Sequence, residues 1–405
     1  MTARNALMER SRFYTSLLNA DLAQGYLLMP RRVVDEATDH LAEAIAWICR
    51  AQDARGDGGV ARSYSIVYNP YFKSRGWIAS YPETTGYIIP TIFDYAEATQ
   101  RDDLFARAVR MAEWECEVQM PSGAVQGGTV DEPPTPAIFN TGQVLFGWVR
   151  AYEETRNERF LAAALRAGDF LVGAQDPDGA WRKSLSRYAS NAMSSYTYNT
   201  RTAWGLVVLA QASGNAAYAA AAARNIDFAL TQQTASGWFR NNCLYDPEHP
   251  LLHTIAYSIR GILETGVALG NESYVAAARR AADALLARQS ADGSLPARFD
   301  AEWNPAARYS CLTGNAQTAI IWSRLHQLTG EPTYALAVSK ANRFLKRVQW
   351  LRTGNPGLDG GISGSYPLHG RYGRFEVLNW AVKFFADSLM LEKSLTRPEA
   401  LATSA

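Results

Sequence analysis

Six short stretches of the chain place polar, proton-active residues at the start of otherwise apolar runs. They are YPETTGY at 81–87, FNTGQ at 139–143, YNTR at 198–201, HTIAYSIR at 253–260, TGNAQ at 313–317 and NWAVK at 379–383. Glu83, His253, Tyr198 and Tyr257 are groups able to take or give a proton. Tyr87, Asn140, Gln143, Asn199, Arg201, Arg260, Asn315, Gln317, Trp380 and Lys383 can hold a ligand by hydrogen bond, charge or ring contact. Tyr366 and Tyr372 join them from GGISGSYPLHGRYGRF at 360–375. Asn140, Thr141 and Asn379 also read as ordinary N-caps. Arg201, Arg260, Lys383, His253 and Gln317 do not cap helix starts, and a polar residue atop an apolar helix is costly unless it is satisfied. Cations outnumber acids in these stretches, with Arg371 and Arg374 close by. Arg pairs bidentately with carboxylate, so an anionic ligand is expected. Once an Arg has neutralised a carboxylate, a Glu, His or Tyr can remove the proton alpha to it, which is epimerase or lyase chemistry.

Hydrolysis of a glycosidic bond would instead need two carboxyl groups. Glu83 is the best single candidate. Asp57, Asp131, Glu132, Asp300, Glu302 and Glu376 are possible partners, and none is singled out. Asp178 in DPDG and Asp292 in ADG read as turn formers. Aromatic residues crowd the segments between helices: Tyr64, Tyr68, Tyr71, Phe72, Trp77, Tyr81, Trp181, Tyr188, Tyr196, Trp238, Phe239, Tyr245 and Trp303. Flat rings of this kind stack on pyranose faces or pack loops onto a scaffold.

The elements that position these residues repeat. A glutamine followed four residues later by a glycine occurs at Gln119, Gln175, Gln233 and Gln289, spaced by 56, 58 and 56. Gln52 with Gly56 and Gln349 with a looser glycine-rich stretch extend the series at both ends. Each unit holds two helical segments. The one ending in the glutamine is amphipathic, as in 157–175, where Phe160, Leu161, Ala164, Leu165, Gly168, Leu171 and Val172 share one face. The other, as in QVLFGWV at 143–149, is apolar nearly all round and must be buried on every side.

Amphipathic members are expected near 33–52, 102–119, 157–175, 215–233, 271–289 and 331–349. Buried members are expected near 84–98, 140–154, 198–213, 253–269, 313–328 and 379–394. Six inside six predicts an all-α, single (α/α)6 toroid over 33–395. Residues 1–32 read as an N-terminal extension packing on it, and 396–405 as a flexible tail. The outer-to-inner connections are long and the inner-to-outer ones short. Long loops then gather over one face, where six inner-helix N-termini supply a mildly positive field.

Composition bounds the partners. Lys+Arg 40 against Asp+Glu 39 leaves +1 over 405 residues, so no general nucleic-acid footprint is expected. No apolar run is long enough for a membrane span, and the charged N-terminus lacks a secretory core. Cys49, Cys116, Cys243 and Cys311 show no paired spacing, and the five histidines form no HExxH pair. Reduced thiols, no metal, no cofactor and a cytoplasmic monomer or homodimer are the expectations.

The Gln…Gly units resemble the repeats of α/α toroids, among them terpenoid cyclases and six-hairpin glycan enzymes. The cyclase acid DxDD and the DDxxD motif are absent, as are the zinc ligands of prenyltransferases and lanthionine cyclases. SYPETTGYIIPTIFDY at 80–95, NTRTAWGL at 199–206, HTIAYSIRGILE at 253–264, CLTGNAQTAIIW at 311–322 and the stretch 360–391 resemble proteins of bacterial polysaccharide-biosynthesis clusters. The toroid is similar to the C-terminal domain of glucuronyl C5-epimerases and to six-hairpin glycosidases. The resemblance implies an enzyme acting on an oligosaccharide or polysaccharide, with uronic-acid epimerisation or elimination ahead of glycoside hydrolysis. A non-catalytic glycan-binding or assembly role, and then cyclase-like chemistry, stand behind these.

Overall fold

The computed structural model of the chain describes residues 3–28, 33–183, 195–243 and 245–395. Tyr188 and the expected tail at 396–405 lie outside the described residues. Two helices, α1 (Ala3–Ser16) and α2 (Ala20–Leu28), precede twelve that alternate around a ring. The outer helices are α3 (His40–Asp53), α5 (Asp102–Val118), α7 (Glu158–Ala174), α9 (Ala216–Thr231), α11 (Glu272–Leu286) and α13 (Pro332–Val348). The inner helices are α4 (Pro82–Thr99), α6 (Ile138–Thr155), α8 (Thr200–Ser213), α10 (Leu252–Ala268), α12 (Leu312–Thr329) and α14 (Asn379–Leu395). Each inner helix packs on the next, and α14 packs back on α4, so the ring closes as an (α/α)6 toroid.

The two helix classes bury as their sequences dictate. On α7 the buried residues are Phe160, Ala163, Ala164, Ala167, Gly168 and Leu171, one face only. On α12 every residue from Leu312 to Ser323 is buried. Close approach of inner helices needs glycine: a Cβ on Gly147 would lie 2.3 Å from the Gly86 carbonyl oxygen.

The repeated glutamine is a clamp. The Gln175 Nε2 donates to the Gly179 carbonyl at 3.1 Å and to the Ala221 carbonyl on the next outer helix at 2.9 Å. Gln119, Gln233 and Gln289 do the same with Gly123 and Ala163, Gly237 and Ala277, and Gly293 and Ala337. Gly179 has φ +88°, and a Cβ there would meet the Arg224 carbonyl oxygen at 2.2 Å. Both facts require glycine. Gln349 closes the circle, donating to the Gly360 carbonyl at 2.9 Å and back to the His40 carbonyl at 3.0 Å. Gln52 reaches Gly58, not Gly56, and the Arg107 carbonyl, each at 3.2 Å.

Three features depart from the sequence reading. The first outer helix starts at His40 rather than at 33, because Asp39 caps it by accepting from the Ala42 N–H at 3.1 Å. A 3₁₀ turn at Thr197–Asn199 precedes α8. Short strands brace the loop face: β1 (Ser63–Asn69) lies between β2 (Ser74–Trp77) and β5 (Glu376–Leu378), all antiparallel, and β3 (Ser310–Cys311) pairs with β4 (Ser365–Tyr366). β1 and β5 tie the first long loop to the last. Helix α1 packs on β1, and Asn355 Nδ2 donates to Asp21 at 2.9 Å. No helix among the described residues is long and apolar enough to cross a membrane. The four cysteines are free, with Cys243 and Cys311 buried.

Candidate active site

All inner helices run the same way, because each follows an outer helix and precedes another. The starts of α4, α6, α10 and α14, the turn before α8 and the long loops line one cavity of about 460 Å³. Of the residues singled out in the sequence, Glu83, Tyr87, Asn140, Tyr198, His253, Tyr257, Tyr372 and Trp380 line it. Tyr71, Phe72, Tyr81 and Tyr245 of the aromatic loops line it too. Other loop rings pack the scaffold. The indole N–H groups of Trp181 and Trp303 donate to the Leu171 and Ser236 carbonyls, each at 2.9 Å, and Trp77 sits against Trp47 and Tyr64.

The ring order α4, α6, α8, α10, α12, α14 puts α4 and α10 opposite one another. Glu83, in the first turn of α4, and His253, at the start of α10, therefore stand on opposing walls. The Tyr81 hydroxyl donates to Glu83 Oε2 at 2.6 Å, and Asn140 Nδ2 donates weakly to that hydroxyl at 3.4 Å. Burial pushes the Glu83 carboxyl up to about 7, against the opposing pull of the Tyr81 hydrogen bond and of Arg201 and Arg62. The group is thus near half-protonated at neutral pH. Burial drives His253 the other way, down to about 3, so its ring is neutral. His253 Nδ1 lies 2.9 Å from Gln317 Oε1. A carbonyl oxygen can only accept, so Nδ1 carries the hydrogen and Nε2 keeps its lone pair. Burial also raises the Tyr87, Tyr198, Tyr257 and Tyr372 phenols, which are un-ionised at neutral pH. The Trp380 indole fixes Tyr372, donating to its hydroxyl at 2.7 Å.

Eight of the sequence candidates sit behind the wall. Gln317 orients His253 from there. Asn315 ties a loop to its helix, with Oδ1 accepting from the Leu295 N–H at 2.8 Å and Nδ2 donating to the Cys311 carbonyl at 2.8 Å. Asn199 is buried in the 3₁₀ turn, and Tyr366 packs edge-on against Phe344. Gln143 accepts from Arg201 Nε at 2.6 Å. Arg201, Arg260 and Lys383 lie deeper along the ring axis, because their long side chains run down the inner helices rather than up into the mouth. Lys383 is paired with Asp387 and Arg260 faces Glu264.

The cations that do line the cavity are Arg62, Arg298 and Arg371. Arg62 and Arg298 stand outside the helix starts, where the repeat pattern gives no signal for a cavity-lining residue. Arg62 follows the GDGGVA turn, a signal only in retrospect. A second carboxylate, Glu376, lines the cavity but is engaged on all sides. It accepts from Arg62 Nη1 at 2.6 Å, Ser63 Oγ at 2.7 Å and Asn69 Nδ2 at 2.9 Å. The remaining acids weighed as partners do not line the cavity. Asp57 accepts from the Gly59 N–H and Ser80 Oγ, Glu132 from the Thr129 N–H and Tyr71, and Asp300 from the Glu302 and Asn304 N–H groups. Asp178 and Asp292 cap turns, as their sequence contexts indicate.

Comparison with known proteins reinforces the architecture. The model of the squalene-hopene cyclase C-terminal domain matches residues 94–270, less than half of the chain. That span holds the Gln119, Gln175 and Gln233 units, so the match follows the toroid repeat. None of the curated proteins matches the chain in sequence. Similar solved structures include an unsaturated glucuronyl hydrolase from Bacillus sp. GL1, responsible for the degradation of glycosaminoglycan, at 16% identity and TM-score 0.68, covering 88% of this chain and 97% of that one. An unsaturated glucuronyl hydrolase specific for heparin is similar at 15% identity and TM-score 0.70, covering 88% and 96%. The cellobiose 2-epimerase of Bacillus thermoamylovorans is similar at 12% identity and TM-score 0.68, covering 87% and 96%. The chain has the (α/α)6 fold of these six-hairpin proteins.

Proposed function

We propose that this protein is a carbohydrate-active enzyme that epimerises a uronic-acid residue of a glycan by removing and returning the proton alpha to its carboxylate. The observation that carries the reading is the opposition of Glu83 and His253 across one cavity. Inversion at a carbon needs a proton taken from one face and delivered to the other. Neutral His253, with Nε2 free, accepts the proton. Glu83, protonated in part at neutral pH, supplies one to the opposite face. A bound carboxylate draws the His253 proton affinity back upward, since a nearby opposite charge favours the charged form. Tyr81 and Asn140 hold Glu83, Gln317 holds His253, and the rings of Phe72, Tyr245 and Trp380 offer stacking faces. Arg298 and Arg371 supply positive charge at the wall for an acidic sugar.

The likeness to glucuronyl hydrolases and a sugar epimerase supports a glycan as substrate. Epimerisation is preferred to elimination because inversion uses both opposed groups on one carbon, whereas elimination would give the second group the different task of protonating the leaving oxygen. Hydrolysis by Glu83 with Glu376 is the second reading, since both carboxylates line the cavity. Glu376 already accepts from three donors, which occupy the oxygens it would need to hold and orient a water.

The test is incubation with uronic-acid oligosaccharides in deuterium oxide. Deuterium at C5, with a new epimer and no unsaturated product absorbing in the ultraviolet, is the expected result. Unsaturated product without deuterated epimer would replace epimerisation by elimination. New reducing ends without C5 exchange would establish the hydrolytic reading.

A further inference from the structure

Arg201, Arg260 and Lys383 form a second chemical unit that the proposed reaction does not use. None of them lines the cavity. Arg201 and Lys383 are 2% and 5% exposed. Arg201 and Arg260 lie over the same indole, that of Trp204, at 5.1 and 4.9 Å, and Arg201 and Lys383 share the ring of Phe384 at 5.4 and 4.5 Å. Rings of Tyr87, Phe146 and Tyr257 complete the box around Arg201.

The charges do not balance. The carboxylates facing the three cations are Asp387 and Glu264. Asp387 pairs with Lys383 and accepts from Thr91 Oγ1 at 2.7 Å. Glu264 is 3.6 Å from Arg260, beyond hydrogen-bond reach, and accepts from a fourth cation, Arg324, at 3.0 Å. Asp94, the next acid, is paired with Arg150 at 3.0 Å. Arg201 has no carboxylate within ion-pair distance among the described residues and makes one hydrogen bond, to Gln143. Its Nη1, together with Arg260 Nε and Nη1, is buried without a hydrogen-bond partner. Buried donors are almost always satisfied, and an uncompensated buried charge is strongly destabilising.

We propose that a single monovalent inorganic anion of halide size, chloride in ordinary buffer, binds among Arg201, Arg260 and Lys383 beneath the cavity floor. Asp387 and Glu264, with the partly ionised Glu83 beyond the tyrosine layer, do not offset Arg201, Arg260, Lys383 and the partly exposed Arg324, and one negative charge brings the cluster nearer to balance. Water could satisfy the donors but not the charge. The small unpartnered donor set suits an ion of one or a few atoms, and a sugar is shut out by the layer of Tyr87 and Tyr257. Because Arg201 pulls the Glu83 proton affinity downward, a bound anion weakens that pull, which links halide to the site above.

The experiment uses the full chain, dialysed into sodium methanesulfonate and titrated with sodium bromide at constant ionic strength. Melting temperature should rise by a few degrees and saturate, as ligand linkage requires. A bromide anomalous peak should appear in contact with Arg201 Nη1 or Arg260 in crystals grown in bromide. Arg201→Gln and Lys383→Met should lose the saturable rise. If either variant fails to fold, the wild-type titration and the bromide map decide alone. A rise that does not saturate, or a bromide map with no peak at these residues, overturns the proposal. Displacement of the bromide by a uronic-acid sugar would also overturn it, because the cluster would then belong to the substrate site.

Discussion

The proton affinity of Glu83 can be moved without touching Glu83. Tyr81→Phe deletes one hydroxyl that donates at 2.6 Å to Oε2 and keeps the ring that packs edge-on against Trp380. A hydrogen bond to a charged acceptor contributes about 1.5–3 kcal/mol, and one pK unit corresponds to about 1.4 kcal/mol. The lost bond stabilises the carboxylate over the acid, so its removal raises the Glu83 value by about 1–2 units from about 7. If protonated Glu83 is the proton donor, kcat/KM falls as pH rises through that value. The descending limb should therefore stand near pH 7 in the native enzyme and move upward by that same amount in the variant. Rates of deuterium uptake at C5, followed by NMR from pH 5 to 10, give the profile. The carboxylic C=O stretch, by infrared difference against Glu83→Gln, gives the same titration without substrate. A limb that stays put or moves downward while the infrared titration shifts upward would remove Glu83 from the proton-donor role. An infrared titration that does not shift would refute the electrostatic reasoning itself.

Glu83→Gln should lower turnover by about 10²-fold or more while glycan affinity measured by calorimetry is largely kept. Gln317→Glu places a carboxylate beside His253 Nδ1 and should raise the imidazole from its low value, adding an acid-side inflection to the rate profile that NMR of the ring protons can assign. Glu115 is fully buried on α5, with both oxygens unpartnered and its carboxyl pushed well above the usual range by burial. A raised folded value means that its contribution is present below the unfolded value of about 4.3 and is lost as pH rises toward the folded one. The stability advantage of Glu115→Gln should thus grow by about 1.4 kcal/mol per pH unit across that window, read from urea unfolding at pH 5 to 9. Gln175→Ala breaks both arms of one clamp and should cost about 1–3 kcal/mol by the same assay.

The toroid was legible because its signals are local and repeated. An amphipathic face and an all-round apolar run are set by the 3.6-residue period, and the Gln…Gly spacing recurs because one carboxamide must bridge a turn and the next helix. Helix starts went astray where a cap intervened: Asp39 stops α3 from reaching back to 33. The small strands were not visible in the sequence, since β1 and β5 join residues more than 300 positions apart and no local pattern encodes that pairing.

The site was legible to the depth of one helical turn. Residues in the first turn of an inner helix, such as Glu83, Asn140, His253 and Trp380, reach the mouth. Those one turn further on divide by shape. Tyr87 and Tyr257 still present their rings to the cavity, whereas Lys383 threads the axis, as do Arg260 two turns into α10 and Arg201, which departs from the rule by running down from the first turn of α8. Their type fitted a substrate-binding cation equally well, and only the ring geometry separates a group that touches a ligand from one that charges the floor beneath it. That separation also assigns the work of recognition. A carboxylate entering the mouth meets Arg298 and Arg371 first, so Arg371→Gln should raise KM for an acidic oligosaccharide several-fold and leave a neutral one unchanged. Arg201→Gln should instead move the descending pH limb of kcat upward and leave KM nearly unchanged, since removing a charge behind the wall raises the Glu83 proton affinity and does not touch substrate binding. Equal KM effects from both variants would show that the axial arginine reaches the substrate after all.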